Sequence, residues 1–241
     1  NENSIKIETP DKSLNYMFNG WLEKQFINGR MFSRTGFYQN SGAYGFRDQL
    51  QDSCAALILN PEITKRQIFR ACTVQFIEGD VLHWWHRLPQ NIISGVRTRY
   101  SDDLLWLPYT LCEYIQKTED YSILKTSIAY CGGDLLKDSE HERYLTVLKS
   151  DICESVYSHC KKAIERSMRF GERGLLYMGC GDWNDGYNGV GIGGKGESVW
   201  LTQFFCIILD KFSEIADFVG ETDVSVSYRS VRDELLSKKK K

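Results

Sequence analysis

Gly181-Asp182-Trp183-Asn184-Asp185-Gly186, followed by Gly194-Lys195-Gly196-Glu197-Ser198-Val199-Trp200, runs into an apolar stripe at Leu201, Phe205, Ile208, Phe212 and Ile215. A loop dense in glycine, carboxylates and aromatics hands over to a long helix, because apolar residues recur at a 3.6-residue period. The same alternation is read elsewhere. Leu14, Met17, Phe18, Trp21, Leu22 and Phe26 form an earlier stripe after Pro10-Asp11. Asp48 to Leu59 carries Leu50, Cys54, Leu57 and Ile58, and Pro61 opens the next helix with Ile63, Ile68, Cys72 and Phe76 on one face. Ser101-Asp102-Asp103 reads as an N-cap with acidic first-turn residues ahead of a helix from Leu104 to Gln116. Further helices are predicted over Asp151 to Arg169, Glu197 to Phe218 and Val224 to Ser237, where Lys238 to Lys241 forms a solvated end.

The joints at 30–47, 79–100, 128–142 and 170–196 are long, aromatic and polar. Connections of that length are commonly functional or disordered, and this content of Trp, Tyr and Gly favours function. Leu175-Leu176-Tyr177-Met178 is a strand-like piece, but no βαβ alternation and no fixed-period repeat is present. The expected fold is therefore all-α, with helical hairpins and loaded loops alternating in a ring.

Composition narrows the function. The 241 residues are 42% hydrophobic and 13% aromatic, enough for a substantial core. Thirty basic against thirty-two acidic residues give a net charge of −2, with no basic stripe for nucleic acid. No run of about eighteen apolar residues predicts a membrane span, and no signal peptide is visible. Eight scattered cysteines without a C-x-x-C pair read as reduced thiols of a cytoplasmic protein. Four histidines show no convincing metal-ligand spacing.

The loop at 181–186 suits sugar chemistry. An aromatic ring stacks on the apolar face of a pyranose, Asn184 or a carboxylate binds hydroxyls, and a carboxylic acid can protonate a glycosidic oxygen. The same residues also fit an acidic surface loop with a packed Trp. Gly189 to Gly194 matches G-x-G-x-x-G but lacks the preceding strand, and Gly196 stands where a phosphate-binding loop needs Ser or Thr. His83-Trp84-Trp85-His86 favours packing or sugar stacking over metal binding. Arg97-Thr98-Arg99-Tyr100 fits either an anion site or surface salt bridges, and Gly45 to Asp52, containing Arg47 and Asp48, either a ligand cluster or a helix-start charge cluster.

Taken together, Gly45 to Asp52, Glu78 to His86, Gly95 to Arg99, Ser101 to Tyr109, Glu140 to Tyr144, Gly181 to Gly186 and Gly194 to Trp200 resemble the inverting glycoside phosphorylases of the cellobiose, cellodextrin and chitobiose phosphorylase family. Within it they are most similar to the phosphorylase-like domain of cyclic β-1,2-glucan synthases and to β-1,2-oligoglucan phosphorylases. The resemblance implies an (α/α)6 barrel, here partial over 1–241, without the family's N-terminal β-sandwich and the remainder of the barrel. It implies a glycosyl-transferring enzyme acting on β-linked oligosaccharides, with inorganic phosphate as co-substrate and no other cofactor or metal. It assigns Asp185 as the general acid and Trp183 and Asp48 to the non-reducing sugar, with Arg47 as a sugar or phosphate contact. Asn184, Arg99 and Glu197 complete the candidate substrate-binding set. Alternative readings are an inverting hydrolase, with Glu197 as the nearest base, and a non-catalytic carbohydrate-binding remnant. A partial barrel is expected to be inactive alone and to dimerise or self-associate, with the stripe through Phe204, Ile208, Phe212 and Ile215 short of partners.

Overall fold

The computed structural model describes residues 5–32, 42–191 and 193–238. The segment 33–41 of the first predicted joint, Ile192 of the glycine run and Lys239 to Lys241 of the basic end lie outside the described residues.

Helix α1 covers residues 12–32, passing between α and π turns. Asp11 starts it by accepting from the amides of Ser13 and Leu14. Helices α2 (Phe46–Cys54) and α3 (Pro61–Cys72) follow, the latter capped by Asn60 with Pro61 in its first turn. Helix α4 (Trp106–Thr118) lies at the centre, against α2, α3, α5 (Val156–Ser167) and α6 (Val199–Phe218). Leu107 and Leu111 of α4 are fully buried. Burying a side chain of that size contributes about 1.5–3 kcal/mol, so both leucines tie α4 firmly into the core. Helix α7 (Thr222–Lys238) packs along α6 as a hairpin. Phe204, Ile208, Phe212 and Ile215 are therefore all buried, and the expectation that this stripe lacks partners is corrected.

The all-α expectation is also overturned. Among the described residues, five strands form one antiparallel sheet in the order β1-β2-β3-β5-β4: β1 (Tyr44–Gly45), β2 (Leu82–Arg87), β3 (Ile93–Thr98), β4 (Ser127–Gly132) and β5 (Glu142–Ser155). The fold is mixed, helices packed with a sheet. The residues read as the joints 79–100 and 128–142 supply β2, β3 and β4. Strand β5 pairs with β3 from Glu142 to Val147 and with β4 from Leu148 to Ser155. Residues 151–155, predicted as helix, finish this strand, and Ser155 caps α5 by accepting from the Ser158 amide. Gly95 lets β2 and β3 approach: a Cβ there would overlap the Trp84 carbonyl and the Trp85 side chain. One side of the sheet meets the core through Trp85 and Val147, whereas Tyr144, Leu148 and Ile152 are exposed.

The strand-like piece at 175–178 makes only isolated bridges, Phe170 to Leu176 and Tyr177 to Glu197. Among the described residues, no helix is long and apolar enough to cross a membrane.

Candidate functional site

Strand β1 leads directly into α2, so Arg47 and Asp48 stand in the first turn of that helix and Gln51 one turn on from Arg47. Residues four apart share a helix face. The Arg47 guanidinium is almost wholly buried and donates through Nε and Nη2 to the two oxygens of Asp102, at 2.7 and 2.9 Å. Nη2 also reaches the Asp182 carbonyl at 3.1 Å, and Nη1 reaches Asp185 Oδ1 at 3.0 Å. Burial acts to lower the Arg47 pKa, but the hydrogen bond to Asp102 and the charges of Asp103, Asp102 and Asp185 outweigh it and hold it above its usual value.

The Ser101-Asp102-Asp103 turn does other work than the predicted N-cap. Asp102 makes no capping bond; its fully buried carboxylate accepts from Arg47 and from Trp106 Nε1 at 3.1 Å. Burial raises its pKa and so does the neighbouring Asp103 charge, against the opposing hydrogen bond from Arg47. Asp103 Oδ2 lies 2.7 Å from His83 Nδ1 on β2, while its buried Oδ1 has no hydrogen-bond partner among the described residues and sits 3.7 Å from Arg47 Nη2. The His83 ring stacks on Tyr100 at 4.6 Å, and the Tyr100 hydroxyl donates to the Asp185 carbonyl at 3.4 Å. Burial acts to lower the His83 pKa, but the charge and hydrogen bond of Asp103 leave it raised.

The 178–186 loop is pinned against the end of β3. Gly179 takes φ 67°, and a Cβ there would collide with the Arg99 carbonyl. The Ser101 hydroxyl donates to the Met178 carbonyl at 2.7 Å, and the Ser101 amide to the Gly181 carbonyl at 3.0 Å. Asp182 is buried and braces the turn: Oδ1 accepts from the Asn184 amide at 3.0 Å and Oδ2 from the Ser198 hydroxyl at 2.6 Å. Ser198 caps α6 through the Leu201 amide. Asn184 Oδ1 in turn accepts from the Gly186 amide at 3.0 Å. Beyond this frame Asp185 opens to solvent, its side chain 53% exposed, and the Trp183 ring lies 48% exposed beside it in sequence. Trp183 Nε1 is held by Gln51 Oε1 at 3.1 Å. Asp48 is half-buried and its carboxylate makes no hydrogen bond among the described residues.

The predicted residues divide. Arg47, Trp183 and Asp185 meet through direct contacts or through Gln51, with Asp48 and Asn184 adjacent in sequence. Arg99 and Glu197 serve other segments. Arg99 Nε donates to the Glu140 carbonyl at 2.7 Å and Nη2 to that of Lys137 at 2.9 Å, tying down the 133–141 loop. Both Glu197 oxygens accept backbone amides, from Arg173 at 3.0 Å and Leu175 at 2.9 Å. Arg97 is fully buried in ion pairs with Asp80 and Glu78, its guanidinium 3.7 Å from the Phe76 ring centroid. The sequence assigned His83 to packing or sugar stacking and Asp102 and Asp103 to a helix start, and so missed their place around Arg47. The available signal was the pair of carboxylates following a basic strand end, which capping chemistry explained equally well.

The arrangement presents one oriented, solvent-open carboxylate beside an exposed indole, backed by a buried guanidinium with more than one carboxylate to serve. Charge-assisted hydrogen bonds of this kind fix a carboxylate in place.

Residues 2–241 match the family profile described as the Glycosyl hydrolase 94 superfamily, catalytic domain. The chain is 43% identical over 209 residues to the cyclic beta-(1,2)-glucan synthase NdvB of Rhizobium meliloti, covering 86% of this chain and 7% of that protein. It is 30% identical over 239 residues to the cellobionic acid phosphorylase of Neurospora crassa, covering 95% of this chain and 26% of the relative. With the solabiose phosphorylase of Paenibacillus borealis it shares 29% identity over 213 residues, 88% of this chain and 24% of the relative. The chain thus spans about a quarter or less of the length of these relatives.

Proposed function

We propose that this chain, which belongs to the Glycosyl hydrolase 94 superfamily by its catalytic domain, forms part of an inverting phosphorylase that splits β-linked gluco-oligosaccharides with inorganic phosphate. The observation that carries the reading is Asp185, exposed two residues from the exposed Trp183 and held by a guanidinium that is itself anchored on buried Asp102. Two of the relatives named above are phosphorylases.

In this reading the Trp183 ring stacks on the sugar whose bond is cut, and Asp48, Asn184 and Arg47 bind its polar edge. Asp185 gives its proton to the glycosidic oxygen as that carbon–oxygen bond breaks. A phosphate oxygen attacks the anomeric carbon from the opposite face. The products are the shortened sugar, carrying the proton, and an α-sugar 1-phosphate of inverted configuration. Phosphate arrives already charged, so one acid suffices. Hydrolysis would need a second carboxylate roughly 6.5–9.5 Å away to activate water. Glu197, the candidate for that role, is occupied by two backbone amides, which favours phosphorolysis. Arg99 and Glu197 support the reaction by holding the loops that flank the site. Eight scattered cysteines without a C-x-x-C pair favour a reducing, cytoplasmic setting.

The test is to incubate the full-length protein with β-1,2-, β-1,3- and β-1,4-linked glucosides, with and without phosphate. Phosphate-dependent release of an α-sugar 1-phosphate supports the reading. Free reducing sugar without phosphate would assign a hydrolase, and sugar binding without turnover a binding module.

A further inference from the structure

A cavity of about 420 Å³ lies between the end of β3, the 133–141 loop and the C-terminal end of α5. Its size falls in the range of small-molecule sites, about 300–1,000 Å³. None of Arg47, Asp48, Trp183 or Asp185 lines it. Tyr100 forms a wall of the cavity and touches the Asp185 carbonyl from its hydroxyl, so the two places are neighbours across one ring.

The charges here are unbalanced. Arg99, Arg166 and Arg169 all line the cavity, and none pairs with a carboxylate among the described residues. Arg166 stands in the last turn of α5 and Arg169 just beyond it, where the helix dipole favours cations without fixing them to a partner. Arg99 spends its bonds on carbonyl oxygens, which leave its charge unneutralised. Asp80 also lines the cavity but is held by both arms of buried Arg97. Asp138 is thus the one uncommitted carboxylate among the described lining residues. Arginine presents paired donors that match phosphate and carboxylate geometry.

The other lining groups suit a polyhydroxylated molecule. The Tyr177 hydroxyl and the His141 ring make no hydrogen bond among the described residues, and Asp138 can accept hydroxyls. Leu135 and Leu201 supply apolar wall for the C–H face of a sugar ring.

We propose that this cavity is a second binding site, separate from the Asp185 face, for a sugar bearing an anionic group. The anion sits among the three guanidiniums and the hydroxyls meet Tyr177, His141 and Asp138. The inference does not depend on phosphorolysis, since its readout is binding without turnover.

Calorimetric titration of residues 1–241 with glucose 6-phosphate, glucuronate, glucose and inorganic phosphate tests it. At least one sugar anion should bind about tenfold or more tightly than glucose or phosphate alone. The stronger of the two says whether phosphate or carboxylate is the anion. Replacing two exposed guanidiniums, Arg166→Gln with Arg169→Gln, should weaken that binding about tenfold or more, with an unchanged circular dichroism spectrum. The same affinity in Asp185→Asn would place the ligand away from the catalytic face. Absence of binding, equal affinity for glucose or for inorganic phosphate, or undiminished affinity in the double variant would overturn the proposal.

Discussion

At the scale of single residues, the site is a charge-balancing problem. Asp102, Asp103 and Asp185 surround one guanidinium, and His83 is the second group able to carry positive charge. The groups facing His83 are Asp103 by hydrogen bond, Asp185 and Arg47 by charge, and Tyr100 by stacking. Its folded pKa lies above the unfolded value, so the protonated ring contributes stability that is complete below about pH 6.5. That contribution is lost as pH rises through the raised folded value. Urea unfolding of the wild type and His83→Gln should therefore show a stability gap that is full below about pH 6.5 and shrinks as pH rises above it. A gap independent of pH would mean that the ring acts by packing alone. Part of this site was legible in the sequence: Asp185, Trp183 and Arg47 were named from their motifs and the structure brings them together. The buried support was not. A carboxylate such as Asp102 serves a cap or a guanidinium according to what folds beside it, and Arg47 is 55 residues away in the chain.

At the scale of elements, helices were legible because each carries its own period and its own start signals. Asn60-Pro61 begins α3, and Ser198 begins α6. The sheet was hidden because its strands do not alternate cleanly. Strand β5 exposes Tyr144, Leu148 and Ile152 on top of buried Val147, so apolar residues fall on both faces and the period of two is blurred. Its last residues, 151–155, merged in the sequence with the helix that follows. The start signals also differ in weight. Ser155 caps α5 through Ser158 alone, whereas Ser198 caps α6 and also donates to buried Asp182. Ser155→Ala should cost about 1 kcal/mol. Ser198→Ala should cost about 2–3 kcal/mol, since it removes a cap and leaves a buried carboxylate oxygen without its donor. Equal losses in denaturant titrations would show that the Asp182 contact carries no energy. At the centre, Leu111→Ala on α4 should cost about 2–5 kcal/mol with a cavity that neighbouring helices cannot fill.

At the scale of the whole molecule, α1 carries several exposed apolar side chains within three turns. Leu14, Met17, Phe18, Trp21 and Leu22 are each between 38% and 49% exposed, so the earliest helical stripe in the sequence is left partly open. Contiguous apolar surface of this kind drives association. Residues 1–241 in isolation should form dimers or larger species at micromolar concentration, and Phe18→Glu with Trp21→Glu should return a monomer by light scattering. An unmodified chain that is monomeric throughout would show the stripe to be inert. The same molecule gathers its candidate catalytic groups from widely separated segments: α2 supplies Arg47, the turn after β3 supplies Asp102, and the loop before α6 supplies Asp185. In the proposed function this assembly holds Asp185 as the proton donor in phosphorolysis. The most direct measurement is kcat/KM for phosphate-dependent sugar 1-phosphate release by the full-length protein and its Asp185→Asn variant. The predicted result is a loss of about 10²–10⁴-fold with an unchanged melting transition, and near-normal turnover by the Asn variant would contradict it.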